Sequence, residues 1–298
     1  MNFTDLLGET HMVMKLTHTE TEEQMIIERI LYTRRYSLIL DKNRCVGCEI
    51  CQIICPREAI EIIKPVKIEG EKLKCPSIKV DEKKCSFCGM CDAICPLRAF
   101  TMKINGDETV PVLEKESFPH LIRQVEVDES ECPLDCDECQ KACPFNLIQV
   151  SKDEKGIVKV DVDVDHCPGC RLCELKCPEG AVRVKRIFSG VIQIDQKKCP
   201  EGCRDCVDVC PVPGVLTVSD NGKVEVNEYC CIYCGACKNV CSVEDALNLK
   251  RTMIAHAPVQ SGAWNSALEK LTSTKDLAKE LTSKRMVKVI ESTKRRMG

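Results

Sequence analysis

One run of cysteines, repeated six times, constrains this chain more than any other feature. The pattern C-x2-C-x2-C-x3-C-P occurs at Cys45, Cys48, Cys51 and Cys55, at Cys85, Cys88, Cys91 and Cys95, and at Cys167, Cys170, Cys173 and Cys177. Two copies carry one extra residue in the first gap: Cys132, Cys136, Cys139 and Cys143, and Cys199, Cys203, Cys206 and Cys210. The sixth copy, Cys231, Cys234, Cys237 and Cys241, keeps the regular spacing but has Ser242 where the other five have Pro. Self-similarity at this scale makes one supersecondary unit the building block of the chain.

The surroundings of the runs repeat as well. Each is preceded by a short alternating segment (LILD, IKVD, VEVD, VDVD, IQID, VEVN) and followed by another (AIEI, AFTMK, LIQV, AVRV, VLTV, ALNL). Alternation of apolar and polar residues reads as short strands. Each repeat is therefore expected to be strand, cysteine loop, helical turn and strand, and the fold class α+β. An Asp or Asn stands four residues before each first cysteine: Asp41, Asp81, Asp128, Asp163, Asp195 and Asn227. That register selects Cys231 over its neighbour Cys230. Cys75 and Cys230 are left as buried or spare thiols, with supplementary ligation as the alternative.

The extra residue marks the third and fifth runs, and both begin Cys-Pro (Cys132-Pro133, Cys199-Pro200). Irregular followed by regular thus occurs twice, which points to a duplicated two-run unit and pairs the first run with the second, the third with the fourth and the fifth with the sixth. The longest gap, Cys95 to Cys132, falls between the first two pairs. A nested arrangement, with one pair inserted in another, stays open. The expected layout is an N-terminal arm (1–37), three tandem two-run domains (38–118, 119–188, 189–254) and a basic helical tail (255–298).

The chain has 26 Cys in 298 residues and only 4% aromatics, so it lacks large core fillers and needs staples. Residues 1–40 contain no basic n-region, apolar stretch and small-residue cleavage site, so a secretory signal is not expected. Metal sites are then favoured over disulfides, and a cytoplasmic location is expected. No apolar run approaches the ~18 residues of a membrane span. Zinc sites favour paired C-x2-C knuckles at longer separation. A [4Fe–4S] cube offers four iron corners, and three cysteines at two-residue gaps wrap three of them from one tight loop. The expected cofactors are six [4Fe–4S] clusters. Thiolates and oxidised cores together would carry the formal charge from −3 to about −15. Cys132-x3-Cys136-x2-Cys139 also matches the signature of radical S-adenosylmethionine enzymes, but Cys143-Pro144 completes a ferredoxin run and the same run recurs.

The runs, flanking strands and Cys-Pro endings resemble the bacterial two-cluster ferredoxins over roughly Leu38–Lys250. The resemblance implies a small α+β unit with pseudo-two-fold symmetry, in which the fourth cysteine of each run ligates the neighbouring cluster. Carried over, Cys45, Cys48, Cys51 and Cys95 hold one cluster, and Cys85, Cys88, Cys91 and Cys55 the next. Cys132, Cys136, Cys139 and Cys177 pair with Cys167, Cys170, Cys173 and Cys143. Cys199, Cys203, Cys206 and Cys241 pair with Cys231, Cys234, Cys237 and Cys210. With clusters replacing much of the core, the apo-protein is expected to be largely unfolded. Gly47, Gly89, Gly169 and Gly235 lie inside the loops, where they are expected to bring backbone N–H groups to cluster sulfurs.

His11, His18, His120, His166 and His256 form no pair at ligand spacing, and no nucleotide loop, serine triad or dinucleotide fingerprint occurs. The chain by itself therefore does not read as an enzyme. Ala263–Arg296 reads as helix, with Leu268, Leu271, Leu277, Leu281, Val287 and Ile290 near helical spacing. Over 261–298 nine Lys/Arg face four Asp/Glu. This tail either packs back on the ferredoxin domains or docks a partner subunit. Nucleic-acid binding is not expected, because no basic, aromatic-interleaved fold accompanies it.

Six clusters on one chain imply an electron relay at roughly −400 mV. The six runs and the tail segment GAWNSALEKL resemble the F-type polyferredoxin subunits of methanogen formylmethanofuran dehydrogenases. That resemblance implies electron delivery to a tungsten or molybdenum site that reduces carbon dioxide to a formyl group. It also implies partner subunits of the same redox complex, and soluble ferredoxin as a further partner. The alternatives are a polyferredoxin of a hydrogenase complex and a free electron reservoir.

Overall fold

The computed structural model describes residues 14–68 and 70–272. In the first pair of runs the elements are β1 (Lys15–Glu20), β2 (Gln24–Ile30), β3 (Arg35–Asp41), α1 (Ile50–Ile54), β4 (Ile60–Ile63), β5 (Ser77–Val80), α2 (Met90–Ile94), β6 (Phe100–Ile104), β7 (Asp107–Glu108) and α3 (Pro111–Glu114). The second pair contributes β8 (Val125–Val127), α4 (Glu138–Ala142), β9 (Ile148–Lys152), β10 (Val158–Val162), α5 (Leu172–Lys176) and β11 (Val182–Val184). The third contributes β12 (Phe188–Ile194), α6 (Asp205–Asp208), β13 (Leu216–Val218), β14 (Val224–Val226), α7 (Ala236–Val240) and β15 (Leu247–Ile254), followed by α8 (Gly262–Thr272). Helix and strand are thus mixed, and each of the flanking segments expected to be extended forms a strand.

Strand pairing follows one rule three times. The strand before one run pairs antiparallel with the strand after the next: β3 with β6, β8 with β11, β12 with β15. The two inner strands pair with each other: β4 with β5, β9 with β10, β13 with β14. No ladder between these named strands crosses from one pair of runs to another. The register repeats down to single bonds. The N–H of Asp41 donates to Ala99, Asp81 to Ala59, Asp128 to Ala181, Asp163 to Leu147, Asp195 to Ala246 and Asn227 to Val215.

Residues 15–30, expected within an N-terminal arm, form a hairpin. β1 pairs with β2 and β2 with β3, which widens the first sheet to five strands. Met25 and Ile27, on one face of β2, are buried beside Leu38, Leu40, Phe100 and Met102. The burial of these two side chains is the physical reason the segment joins the sheet.

A larger apolar cluster ties the three pairs together. It runs from Ile50, Ile54, Ile94 and Phe118 of the first pair through Cys170 and Ile187 of the second to Ile192, Val212, Leu216 and Val240 of the third. The tail joins it: Trp264, Ala267 and Leu271 of α8 are buried, and Trp264 meets Phe118 edge-on with centroids 4.9 Å apart. The described part of the tail therefore packs back on the core. Leu277, Leu281, Val287 and Ile290 lie outside the described residues. The connection between β4 and β5 is also structural: Lys67 pairs with Asp205 at 2.6 Å, and the Leu73 N–H donates to Asp208 at 3.2 Å. It lies over α6, more than 100 residues ahead in the chain.

Candidate metal centres

Each cysteine loop is launched by its Asp or Asn. The side-chain oxygen accepts N–H groups of the next turn: Asp41 from Asn43 and Arg44, Asp81 from Lys83 and Lys84, Asp128 from Ser130, Asp163 from His166, Asp195 from Lys197 and Asn227 from Tyr229. These short polar side chains replace the hydrogen bonds that the strand gives up where it turns.

The residue before the second cysteine is left-handed in all six runs: Gly47, Phe87, Asp135, Gly169, Gly202 and Tyr233 have φ between 50° and 73°. This backbone twist turns amides toward sulfur. Phe87 N–H reaches Cys85 Sγ and Tyr233 N–H reaches Cys231 Sγ, each at 3.4 Å. Glycine is required at position 47, where a Cβ would stand 2.5 Å from Pro76. In the regular runs the residue after the second cysteine is left-handed too (Glu49, Gly89, Arg171, Gly235), whereas Asp137 and Arg204 of the irregular runs are not. The extra residue thus relaxes the second twist. Fourth cysteines also receive amides: Ala59 donates to Cys55 and Ala99 to Cys95 at 3.3 Å, and Leu147 to Cys143 at 3.4 Å.

These loops enclose four cavities, each lined by three cysteines of one run and the fourth of its partner run. Cys85, Cys88, Cys91 and Cys55 line one, with Cys51 of the first run beside them and Leu38, Ile60, Val80 and Phe87 around them. Cys167, Cys170, Cys173 and Cys143 line the second. Cys199, Cys203, Cys206 and Cys241 line the third, and Cys231, Cys234, Cys237 and Cys210 the fourth. The remaining sets are also brought together. Burial and then neighbouring sulfurs, Cys95 among them, push the Cys45 thiol up to about 12 and Cys51 well up. Burial, Cys136 and Cys177 raise Cys132.

Such sites are hostile to bare thiolates. Burial leads the causes that push Cys170, Cys173, Cys206, Cys210 and Cys231 up to about 12, with neighbouring cysteines adding to it. Four sulfurs crowded in an apolar shell become good ligands only when a metal group supplies positive charge. Among the described residues no three His, Cys, Asp or Glu side chains gather tightly enough for a single ion. All 26 cysteines are free. A four-iron cube, which spreads its ligands around a larger body, fits cysteine-lined cavities of this kind, and the amides aimed at sulfur suit its charge.

Buried and half-buried cations that sequence reasoning missed hold the loops from behind. Arg123 donates to the carbonyls of Cys95 (2.7 Å), Pro96 (2.8 Å) and Cys167 (2.6 Å). Arg29 donates to Cys85 O at 2.6 Å, and Arg251 to the carbonyls of Tyr233 and Cys234. Isolated arginines carry no motif, so only their placement shows the role.

The first and sixth runs lie side by side: burial and then Cys234 raise the Cys48 thiol. Of the spare cysteines, Cys230 is buried and stands outside the cavity that Cys231 lines, as the register indicated. Cys75 is exposed rather than buried, with its sulfur 3.9 Å from Val209 O. His166 bonds Asp163, His18 lies between Glu20 and Glu82, and His256 packs on Trp264.

Comparison with known proteins agrees with this picture. The 4Fe-4S dicluster domain family matches residues 44–99, 84–147 and 131–181. The middle match spans the second and third runs, which no strand ladder joins, so sequence similarity alone does not say which runs pair. A curated relative, the polyferredoxin-like subunit of the aliphatic sulfonate oxidoreductase of Pyrococcus furiosus, is 33% identical over 103 residues, or 31% of this chain. The matched part spans 58% of that relative's length. Among solved structures, a chain of the formate dehydrogenase–heterodisulfide reductase–formylmethanofuran dehydrogenase complex from Methanospirillum hungatei is similar with a TM-score of 0.77 and 32% identity. The similarity covers 87% of this chain and 92% of that one.

Proposed function

We propose that this chain, which belongs to the polyferredoxins built of tandem 4Fe–4S dicluster domains, holds six [4Fe–4S] clusters in three exchange-ligated pairs and relays low-potential electrons inside an oxidoreductase complex. The observation that carries the reading is the make-up of the cavities: three cysteines of one run meet the fourth of its partner four times over, with Cys51 also at the edge of one. The strand ladders support three two-run units at about 38–118, 119–188 and 189–254, with the N-terminal hairpin added to the first.

When bound, the clusters supply one-electron chemistry at low potential. The chain's own residues do the rest. The cysteines ligate, the left-handed turns aim amides at sulfur, the apolar shells exclude water, and Arg29, Arg123 and Arg251 place positive charge behind the loops. Catalysis belongs to partner subunits. No described helix is long and apolar enough to cross a membrane, and we place the complex in the cytoplasm.

The similarity to a chain of the Methanospirillum hungatei complex supports formylmethanofuran dehydrogenase, and thus carbon dioxide reduction, as the terminal enzyme. The Pyrococcus furiosus relative supports a second reading, a relay to a different oxidoreductase. Anaerobic affinity purification from the source organism separates the two by the catalytic subunits that co-purify. Iron and sulfide analysis with EPR spin counting tests the cluster content: about 24 Fe per chain are expected for six four-iron cubes, and about half that number would overturn it.

A further inference from the structure

The third run stands apart from the others. No hydrogen bond or ion pair among the described residues joins Glu129–Ile157 to the first or third pair of runs. The fourth run, by contrast, is tied inward by Arg123 on Cys167 O and by Arg171 on the Tyr229 hydroxyl. The third site is therefore an outer end of the array, and Cys132 Sγ sits in an exposed setting.

Two large apolar side chains stand in solvent beside it. Leu134, inside the extended loop, is 68% exposed, and Ile157 is 55% exposed. The Asp135 N–H donates to Gly156 O at 3.2 Å, which sets these two residues on opposite sides of one backbone bond. The fifth run is an internal control, because it is the duplicate with the same extra residue. There Gly202 N–H donates to Gly222 O at 2.9 Å, so Glu201 takes the place of Leu134 and Lys223 that of Ile157. The fold of this loop thus does not demand apolar residues at either position.

Charge differs in the same comparison. From Asp128 to His166 there are eleven Asp/Glu against four Lys, while the matching stretch from Asp195 to Cys230 has seven against four Lys/Arg. Leu134 and Ile157 thus stand exposed on an acidic stretch of chain, with Lys152 bonded beside them at Asp135, and next to an outlying redox site this is the anatomy of a transient docking face. Charge complementarity names the occupant.

We infer that the Leu134–Ile157 face is where the relay exchanges electrons with a separate redox protein whose own cofactor edge is apolar at the centre and ringed by Lys or Arg. The inference rests on the electron-relay reading above. The acidic surround steers the basic partner, and Leu134 and Ile157 fill its centre once water is expelled.

The test uses the full-length, cluster-loaded chain, reduced with dithionite and mixed in stopped flow with cytochrome c, a basic redox protein, or with menadione, a small neutral oxidant. Leu134→Glu with Ile157→Lys installs the residues of the duplicate. The cytochrome c rate is expected to fall by about tenfold or more, with iron content and the menadione rate unchanged. In the parent chain the cytochrome c rate should drop steeply with salt. Glu154→Lys, at the exposed turn, is a second variant that should slow cytochrome c alone, and Glu201→Leu in the duplicate should change neither rate. An unchanged cytochrome c rate in both the double variant and Glu154→Lys overturns the docking face. Failure of menadione to reoxidise the parent chain would instead overturn the relay reading.

Discussion

The side-chain amide of Asn239 donates to the carbonyl of Gly47 at 2.8 Å, joining residues 192 apart in the chain. The bond locks the sixth cysteine loop against the first. Lys238 and Glu49 meet nearby at 4.0 Å. Asn239→Ala removes the donor and leaves a half-buried carbonyl unpaired, at a cost of about 1 kcal/mol. Anaerobic calorimetry of the holoprotein should register a lowered Tm, with iron content intact. An unchanged Tm would mean that the apolar core alone holds the two runs together.

Arg123 is a half-buried cation whose three acceptors are carbonyls of the second and fourth runs, and no carboxylate among the described residues lies within ion-pair distance of it. Burial holds its guanidinium down to about 10, still charged at neutral pH. Arg123→Met takes the guanidinium donors from those carbonyls, of which Cys95 O keeps the Arg98 N–H, and removes positive charge from between two sites. The expected results are a loss of about 2–4 kcal/mol and lower reduction potentials for two clusters in an EPR-monitored titration. Arg123→Lys should restore most of the potential and little of the stability.

Exchange ligation makes a test that runs against sequence proximity. Cys55 lies in the first run, but it lines the cavity of Cys85, Cys88 and Cys91. Cys55→Ser should therefore disturb the second site and spare the first, read as changes in one EPR component and iron loss confined to one cluster. Cys75→Ser and Cys230→Ser should leave iron content at its full value.

Glu174 reports on the contact between the second and third pairs. Arg171 first, then the Val184 amide and the Tyr229 hydroxyl, hold its carboxyl below the ordinary range. A depressed folded pKa means that this stabilisation is complete above the unfolded value of about 4.3 and fades as pH falls through the lower folded value. Glu174→Gln should cost about 0.5–1 kcal/mol at pH 7, and its difference in Tm from the parent chain should shrink on acidification below about pH 4. A difference independent of pH would assign the loss to packing.

Trp264 is 1% exposed between Phe118 and His256. Trp264→Ala should cost about 3–5 kcal/mol, seen as a large fall in Tm. Removal of residues 261–298 as a test of partner docking would therefore unsettle the core as well. Truncation after Thr272 is the cleaner experiment, because it keeps Trp264, Ala267 and Leu271: weakened co-purification at an unchanged Tm would assign docking to the remainder of the tail.

The local parts of this protein were legible in its sequence. Cysteine spacing is a property of one short loop, and strand alternation of four or five residues, so both could be read without knowing what lies across the molecule. The capping residue at Asn227 was enough to prefer Cys231 to Cys230, and the structure puts only Cys231 in the cavity. The hairpin at 15–30 was present as Met25 and Ile27 in a polar segment, but two buried side chains are too few to separate a strand from an arm before their partners, Leu38 and Leu40, are known to lie beside them.

What the chain determined by itself is the repeated unit: its ligand spacing, its flanking strands and the turn that launches each loop. These follow from backbone geometry and metal coordination within a few residues. Tertiary structure alone decided that the first run meets the sixth, that Arg123 stands between the second and fourth, and that the third is left at the edge. Those outcomes depend on which small apolar surfaces are buried together over long stretches of chain, and six nearly identical repeats carry almost no local signal to tell one such neighbour from another.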